Sequence, residues 1–156
     1  MEKIASAKLF GGAHDVWRHR SEVLGVDMEF ATFTPEGEGQ FTVLYFLSGL
    51  TCTWENAATK AGAQQFAAKH GIALVFPDTS PRGNDVADDA SYALGKGAGF
   101  YMTATKAPYA EHYKMDSYII DELTALVPKI ATAASGKAGI TGHSMGGHGA
   151  LTLAMR

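Results

Sequence analysis

Cysteine is nearly absent from the 156-residue chain: Cys52 stands alone. No disulfide can form within it, which excludes a disulfide-stapled fold and favours a reducing compartment. Charge of one sign is also scarce. Thirteen basic against 16 acidic residues leave a net charge of −3, so no electrostatic footprint for nucleic acid or an anionic membrane surface is expected. No apolar run approaches the ~20 residues a membrane-spanning helix needs. The start, MEKIASAKLFGGAHDVW, carries charges where a signal peptide would be apolar, and a cytoplasmic protein is expected. The six histidines and one cysteine show no metal-ligand spacing, so neither metal nor cofactor is expected.

Glycine is abundant, with 18 residues, and the excess gathers around 95–99 and 142–149. Clustered in this way it predicts tight turns. With 46% hydrophobic and 19% charged residues, the chain fits one globular domain over 1–156.

Along the chain, Leu24, Val26, Met28 and Phe30 alternate with more polar neighbours, which predicts a strand over 21–30 with one face buried. A turn is predicted at 35–39. The unbroken apolar runs FTVLYFL (41–47) and IALVF (72–76) predict strands covered on both faces. Between them AATKAGAQQFAAK (57–69) predicts a helix closed by Gly71. Strand, helix and strand with short links make a parallel βαβ unit. Residues 79–112 read as a long loop of the functional or covering kind. A helix beginning at Asp116 or Ser117 carries apolar residues at helical spacing, with Pro128 predicting a kink or break near Val127. A short strand at 138–141 and a final helix complete the chain.

The sharpest chemical signal is Gly142-His143-Ser144-Met145-Gly146 between that strand and that helix. Gly-x-Ser-x-Gly in this context is a nucleophile elbow, a strained turn that lifts the serine hydroxyl clear of the sheet. A tight turn without chemistry is the bland alternative; the apolar strand before and small-residue helix after favour Ser144 as nucleophile. Acyl transfer also needs two backbone N–H donors for the oxyanion. One is the amide after the nucleophile, that of Met145. The loop 48–53 is the candidate for the second, although an ordinary strand-to-helix turn accounts for its spacing equally well.

With GHSMGGHGAL (142–151), FLSGLTCT (46–53), PDTSPRG (77–83), GAGFY (97–101) and YKMDSYIIDEL (113–123), the chain resembles the S-formylglutathione hydrolase, or esterase D, family over nearly its whole length. The resemblance implies an α/β-hydrolase fold, a mainly parallel central sheet with helices on both faces, in a cytosolic serine hydrolase. It implies release of formate and glutathione from S-formylglutathione, as in formaldehyde detoxification, with no cofactor and a small-molecule thioester as partner. It also suggests a homodimer. It places the nucleophile on Ser144 and the oxyanion amides on Leu50 and Met145. Two departures stand out. Tyr109 occupies a position where the family usually has tryptophan, which motivates an alternative carboxylesterase acting on other small acyl esters. The family also continues well past the elbow helix, so the chain reads as the N-terminal portion of such an enzyme, and as a fragment inactive alone.

Triad order in this fold is serine, acid, histidine. After Ser144 the sequence offers only His148, one helical turn on, and no carboxylate. A packing or helix-dipole role is expected for His148 and a structural one for His143. His70 is read at a helix C-terminus, and His14, His19 and His112 in loops or near the start of the chain. Asp78, at a strand end, reads as a side-chain-capped turn rather than a catalytic acid. Cys52 reads as a small buried hydrophobe, with a reactive thiol near the site as the alternative. Trp54, Phe100 and Tyr101 are candidates for the pocket wall, with plain packing as their other reading.

Overall fold

The architecture comes from a computed structural model that describes residues 1–37, 40–130 and 138–156. Six strands form its centre: β1 (Glu2–Leu9), β2 (Gly12–Arg20), β3 (Asp27–Pro35), β4 (Thr42–Leu47), β5 (Ile72–Pro77) and β6 (Ala138–Gly142). They lie side by side in the order β1-β2-β3-β5-β4-β6. β1, β2, β3 and β5 are antiparallel neighbours, whereas β5, β4 and β6 run parallel, so the described sheet is mixed rather than mainly parallel as expected.

The β4 and β5 runs are apolar because the sheet is covered twice. Along β5, Ala73 and Val75 join one apolar cluster, while Leu74 and Phe76 join another on the opposite face. β3 divides in the same way, with Phe30 in the first cluster and Ala31 and Phe33 in the second. Alternate side chains of a strand point to opposite faces, so a strand in mid-sheet has no polar side to show.

The crossover from β4 to β5 is two helices where the alanine-rich run predicts one. α1 (Trp54–Lys60) and α2 (Ala63–His70) are separated at Gly62, whose φ of 61° ends helical continuity. α1 also begins earlier than predicted. Thr53 Oγ1 accepts from the Glu55 amide at 3.2 Å and the Asn56 side chain accepts from the Thr53 amide at 2.9 Å, a reciprocal cap that starts the helix directly at Trp54. Gly71 closes α2 as predicted, at φ 63°.

The predicted strand over 21–30 begins only at Asp27. Residues 21–26 turn instead, with Ser21 Oγ accepting from the Leu24 amide at 3.0 Å and the Ser21 amide donating to the Val26 carbonyl at 2.9 Å. Leu24 and Val26 are buried from within that turn, which is why their spacing imitates a strand. His14 and His19 lie near the start of the chain, on β2. That hairpin has no apolar alternation to announce it, since β1 is largely exposed; its turn is Phe10-Gly11, with φ 47° and 69°, the positive pair that suits a two-residue hairpin. Of the predicted turn at 35–39, Pro35 still belongs to β3, and residues 38 and 39 lie outside the described residues.

Residues 79–112 form the expected long covering segment, ending in a single 3-10 turn (Tyr109–Glu111). α3 (Met115–Ser117) then runs directly into a π-helical stretch (Tyr118–Leu123) and α4 (Thr124–Ile130). The helix therefore passes through Pro128, and its irregularity sits upstream, where Tyr118, Ile119 and Leu123 are buried. α5 (Met145–Ala154) follows β6 after a two-residue corner. Its buried side is Met145, Gly146, Gly149, Ala150 and Leu153, small near the sheet and larger beyond.

Candidate active site

The corner between β6 and α5 is built by steric exclusion. A β-carbon on Gly142 would overlap the Gly146 carbonyl, and one on Gly146 would overlap the Leu47 carbonyl of β4. Both obstacles are backbone, so nothing can swing aside. The turn is tightened by hydrogen bonds from the His143 amide to the Leu47 carbonyl (3.1 Å) and from the Gly146 amide to the His143 carbonyl (2.9 Å). At its apex Ser144 adopts φ 57°, ψ −120°, a conformation that costs a residue with a β-carbon about 1–3 kcal/mol. Its side chain is exposed at the C-terminal ends of the parallel strands.

The loop 48–53 lies against this serine. A β-carbon on Gly49 would sit 3.4 Å from Ser144 Cβ. Among the described residues no loop or cap hydrogen bond is donated by the Leu50 or the Met145 amide, whereas the neighbouring Thr51 and Cys52 amides donate to the Gly97 and Gly49 carbonyls at 2.9 and 3.3 Å. An amide with no partner in the chain is open to an acceptor from outside it, and the loop that carries Leu50 and the helix that begins at Met145 both adjoin Ser144. The start of α5 adds its positive end at the same point.

Several other points of the loop are held by residues outside it. The Tyr101 hydroxyl donates to the Ser48 carbonyl at 2.8 Å, and the Ala57 amide to Ser48 Oγ at 3.2 Å. The Thr51 amide donates to the Gly97 carbonyl at 2.9 Å. The Cys52 carbonyl receives two donors, the Thr79 hydroxyl and, at 3.0 Å, Arg82 Nη2. Arg82 also grips the Asp78 carboxylate with both branches of its fork, at 2.9 and 3.1 Å. Burial pushes the Asp78 pKa above the ordinary carboxylate value, against the opposing pull of Arg82 and the Thr79 and Ser80 amides. Asp78 is thus the capped turn its sequence predicts, its Oδ1 taking the Thr79 amide at 2.6 Å, with the ion pair to Arg82 added.

Cys52 is partly exposed, correcting the expectation of a buried hydrophobe, and lines a cleft of about 450 Å³ with Ser48, Gly49, Lys60 and His143. Trp54 faces the second apolar cluster, its ring 6.5 Å from that of His14 and its N–H 3.5 Å from Glu29. Tyr101 is 1% exposed and packs against Gly149, so it supports the loop from within the core. His143 is exposed beside the cleft, and His148 is exposed above a groove shared with Asp116, Thr152 and Arg156, which removes the packing role expected of it. His70 is the last residue of α2. His19 is buried against Tyr118 and Glu122, and His112 bonds the Leu24 carbonyl. Among the described residues none of these histidines bonds Ser144. Tyr109 stacks edge-to-face on Tyr113 in a separate cleft with Gly95, Gly99 and Lys106.

Sequence reasoning missed Arg82 and Thr79 altogether. Their only signal is that PDTSPRG follows a central strand, and a turn motif does not disclose what its side chains will reach.

Residues 21–156 match the Esterase family model, described as "Putative esterase". The S-formylglutathione hydrolase of Paracoccus denitrificans (strain Pd 1222) is 54% identical over 156 residues, covering 99% of this chain and 56% of that protein. The solved S-formylglutathione hydrolase from Agrobacterium tumefaciens superposes with a TM-score of 0.97 at 45% identity, over 99% of this chain and 57% of its own. The α/β-hydrolase fold follows from that match. Fluorophosphonate-binding serine hydrolase F of Staphylococcus aureus shares the fold at 20% identity and a TM-score of 0.68, covering 92% of this chain and 52% of its own. The chain thus spans just over half the length of the relatives it matches.

Proposed function

The chain belongs to the esterase family, and from that premise we propose that it is the nucleophile-bearing part of a serine thioesterase that hydrolyses S-formylglutathione. The observation that carries this reading is Ser144 exposed at φ 57° at the start of α5, with the loop 48–53 against it. The identity to S-formylglutathione hydrolases supports the substrate.

In the proposed reaction Ser144 Oγ attacks the formyl carbon and gives its proton to a general base. The carbonyl oxygen becomes an oxyanion held by the Leu50 and Met145 amides. Collapse breaks the C–S bond, the proton passes to the sulfur, and glutathione leaves a formyl-serine. Water, deprotonated by the same base, then releases formate and restores the serine. Formyl is the smallest acyl group, which suits the close approach of Gly49 to Ser144. The base and its acid are proposed to lie in the part of the relatives' length that this chain does not span, in the order serine, acid, histidine. Among the described residues no helix is long and apolar enough to cross a membrane; a cytoplasmic homodimer belongs to the same proposal.

The test is turnover of S-formylglutathione by the full-length protein and its Ser144→Ala variant, beside short-chain aryl esters. Loss of turnover in the variant with preference for the thioester is expected. Retained thioester hydrolysis would overturn the mechanism. A strong preference for aryl esters would favour the alternative that Tyr109 motivates, a carboxylesterase for other small acyl groups.

A further inference from the structure

A catalytic amide is useful only if its direction is fixed before the charge forms, because reorientation during the reaction would consume the stabilisation it offers. The Met145 amide is fixed by α5. The Leu50 amide belongs to a loop, and three points on that loop are held by other parts of the chain: Ser48 by Tyr101, Thr51 by Gly97, and Cys52 by Thr79 and Arg82.

The last of these differs in kind. Arg82 places Nε 2.9 Å from Asp78 Oδ2, and its Nη2 3.1 Å from Asp78 Oδ1 and 3.0 Å from the Cys52 carbonyl. One planar, rigid group therefore links the end of β5 to the oxyanion loop. Asp78 has a side chain only 7% exposed and takes no part in the proposed chemistry, yet a buried carboxylate needs a reason and a partner. Both lone pairs of the Cys52 carbonyl are used, so the peptide planes between Gly49 and Cys52 have little freedom left.

We infer that Arg82, anchored on Asp78 and assisted by Thr79, is a positioning residue that aims the Leu50 amide at the oxyanion through the Cys52 carbonyl. The inference rests on the proposed serine mechanism. It requires the fork and not merely the charge, since a lysine ammonium at 82 would serve the carboxylate or the carbonyl from a flexible stem but could not hold both in one plane.

The test is Arg82→Lys in the full-length protein, with Thr79→Val as a second variant that removes the other donor to Cys52 while keeping side-chain shape. Four quantities are read: kcat, KM, affinity for a glutathione-linked trifluoromethyl ketone that forms a tetrahedral oxyanion on Ser144, and affinity for the product glutathione. In each variant kcat is expected to fall about 10- to 100-fold, short of the 10²–10³ that removal of an oxyanion donor costs. The ketone should weaken by the same factor, while KM and glutathione affinity stay within about twofold. Unchanged kcat, or a fall in kcat without matching loss of ketone affinity, would overturn the positioning role; if Arg82→Lys does not fold, Thr79→Val decides by the same readouts. Ser144→Ala separates the two levels. If it retains turnover, the serine mechanism fails. If it abolishes turnover while Arg82→Lys leaves kcat and ketone binding intact, only the role of Arg82 falls.

Discussion

The Tyr101 hydroxyl donates a 2.8 Å hydrogen bond to the Ser48 carbonyl across 53 residues of sequence. Both residues are buried, and the ring that carries the hydroxyl lies over Gly149 of α5. One side chain thus joins the loop before the candidate site to the helix after it.

Tyr101→Phe leaves the ring in place and orphans a buried carbonyl. It is expected to destabilise the protein by about 1–3 kcal/mol, the cost of an unsatisfied buried acceptor. Urea unfolding of the variant beside the native protein measures it, and an unchanged midpoint would mean that the Ser48 carbonyl finds another donor.

Ser144 at φ 57° stores strain that glycine would release. Ser144→Gly is expected to be inactive yet more stable than Ser144→Ala by about 1–2 kcal/mol, because alanine keeps the β-carbon and glycine does not. Thermal melts of the pair check the sign.

The two glycines of the elbow region differ from the glycine that divides the crossover. A β-carbon at 146 meets the Leu47 backbone, whereas at 62 nothing lies within 4 Å and only the positive φ opposes a side chain. Gly62→Ala should cost about 1–2 kcal/mol. Gly146→Ala should cost more than the ~3 kcal/mol at the upper end of ordinary overpacking, and yield insoluble protein. Comparable soluble yields of both would contradict the steric argument for the elbow.

Stability should fall on mild acidification. Desolvation holds the pKa of His19 below its ordinary 6.5, with the Glu122 charge opposing it, and burial lowers that of His14 as well. The unfolded state then binds more protons than the folded state as pH drops through 6.5, so folding loses free energy below that value. In His19→Gln the slope of unfolding free energy between about pH 7 and 5 should be shallower than in the native protein. Equal slopes would show that His19 is not a source of the effect.

Much of this could be read along the chain. β4 and β5 are legible as apolar runs because a strand buried on both faces has no polar positions to interrupt it. Ser144 is legible because a backbone corner this tight admits only glycine at 142 and 146, and that demand is written in five consecutive residues. The β1–β2 hairpin is not legible in the same way. Its cohesion comes from partners such as Ser6 with Asp15 at 2.6 Å and Lys3 with Asp15 at 2.7 Å, which have no periodicity. The turn at 21–26 is misread for the converse reason: Leu24 and Val26 are buried by what lies over them, so their alternation reports burial and not extension.

The sequence by itself determined the parallel core, the crossover between its strands and the identity of the candidate nucleophile, since each depends on sterics and burial acting within a few residues. Only the tertiary structure decided what holds the loop beside Ser144 in place. Cys52 meets Thr79 and Arg82 across 27 and 30 residues, and Ser48 meets Tyr101 across 53. The Cys52 contacts exist because the sheet brings the ends of β4 and β5 together, the Ser48 contact because the segment after β5 folds back over the loop, and no local pattern encodes either.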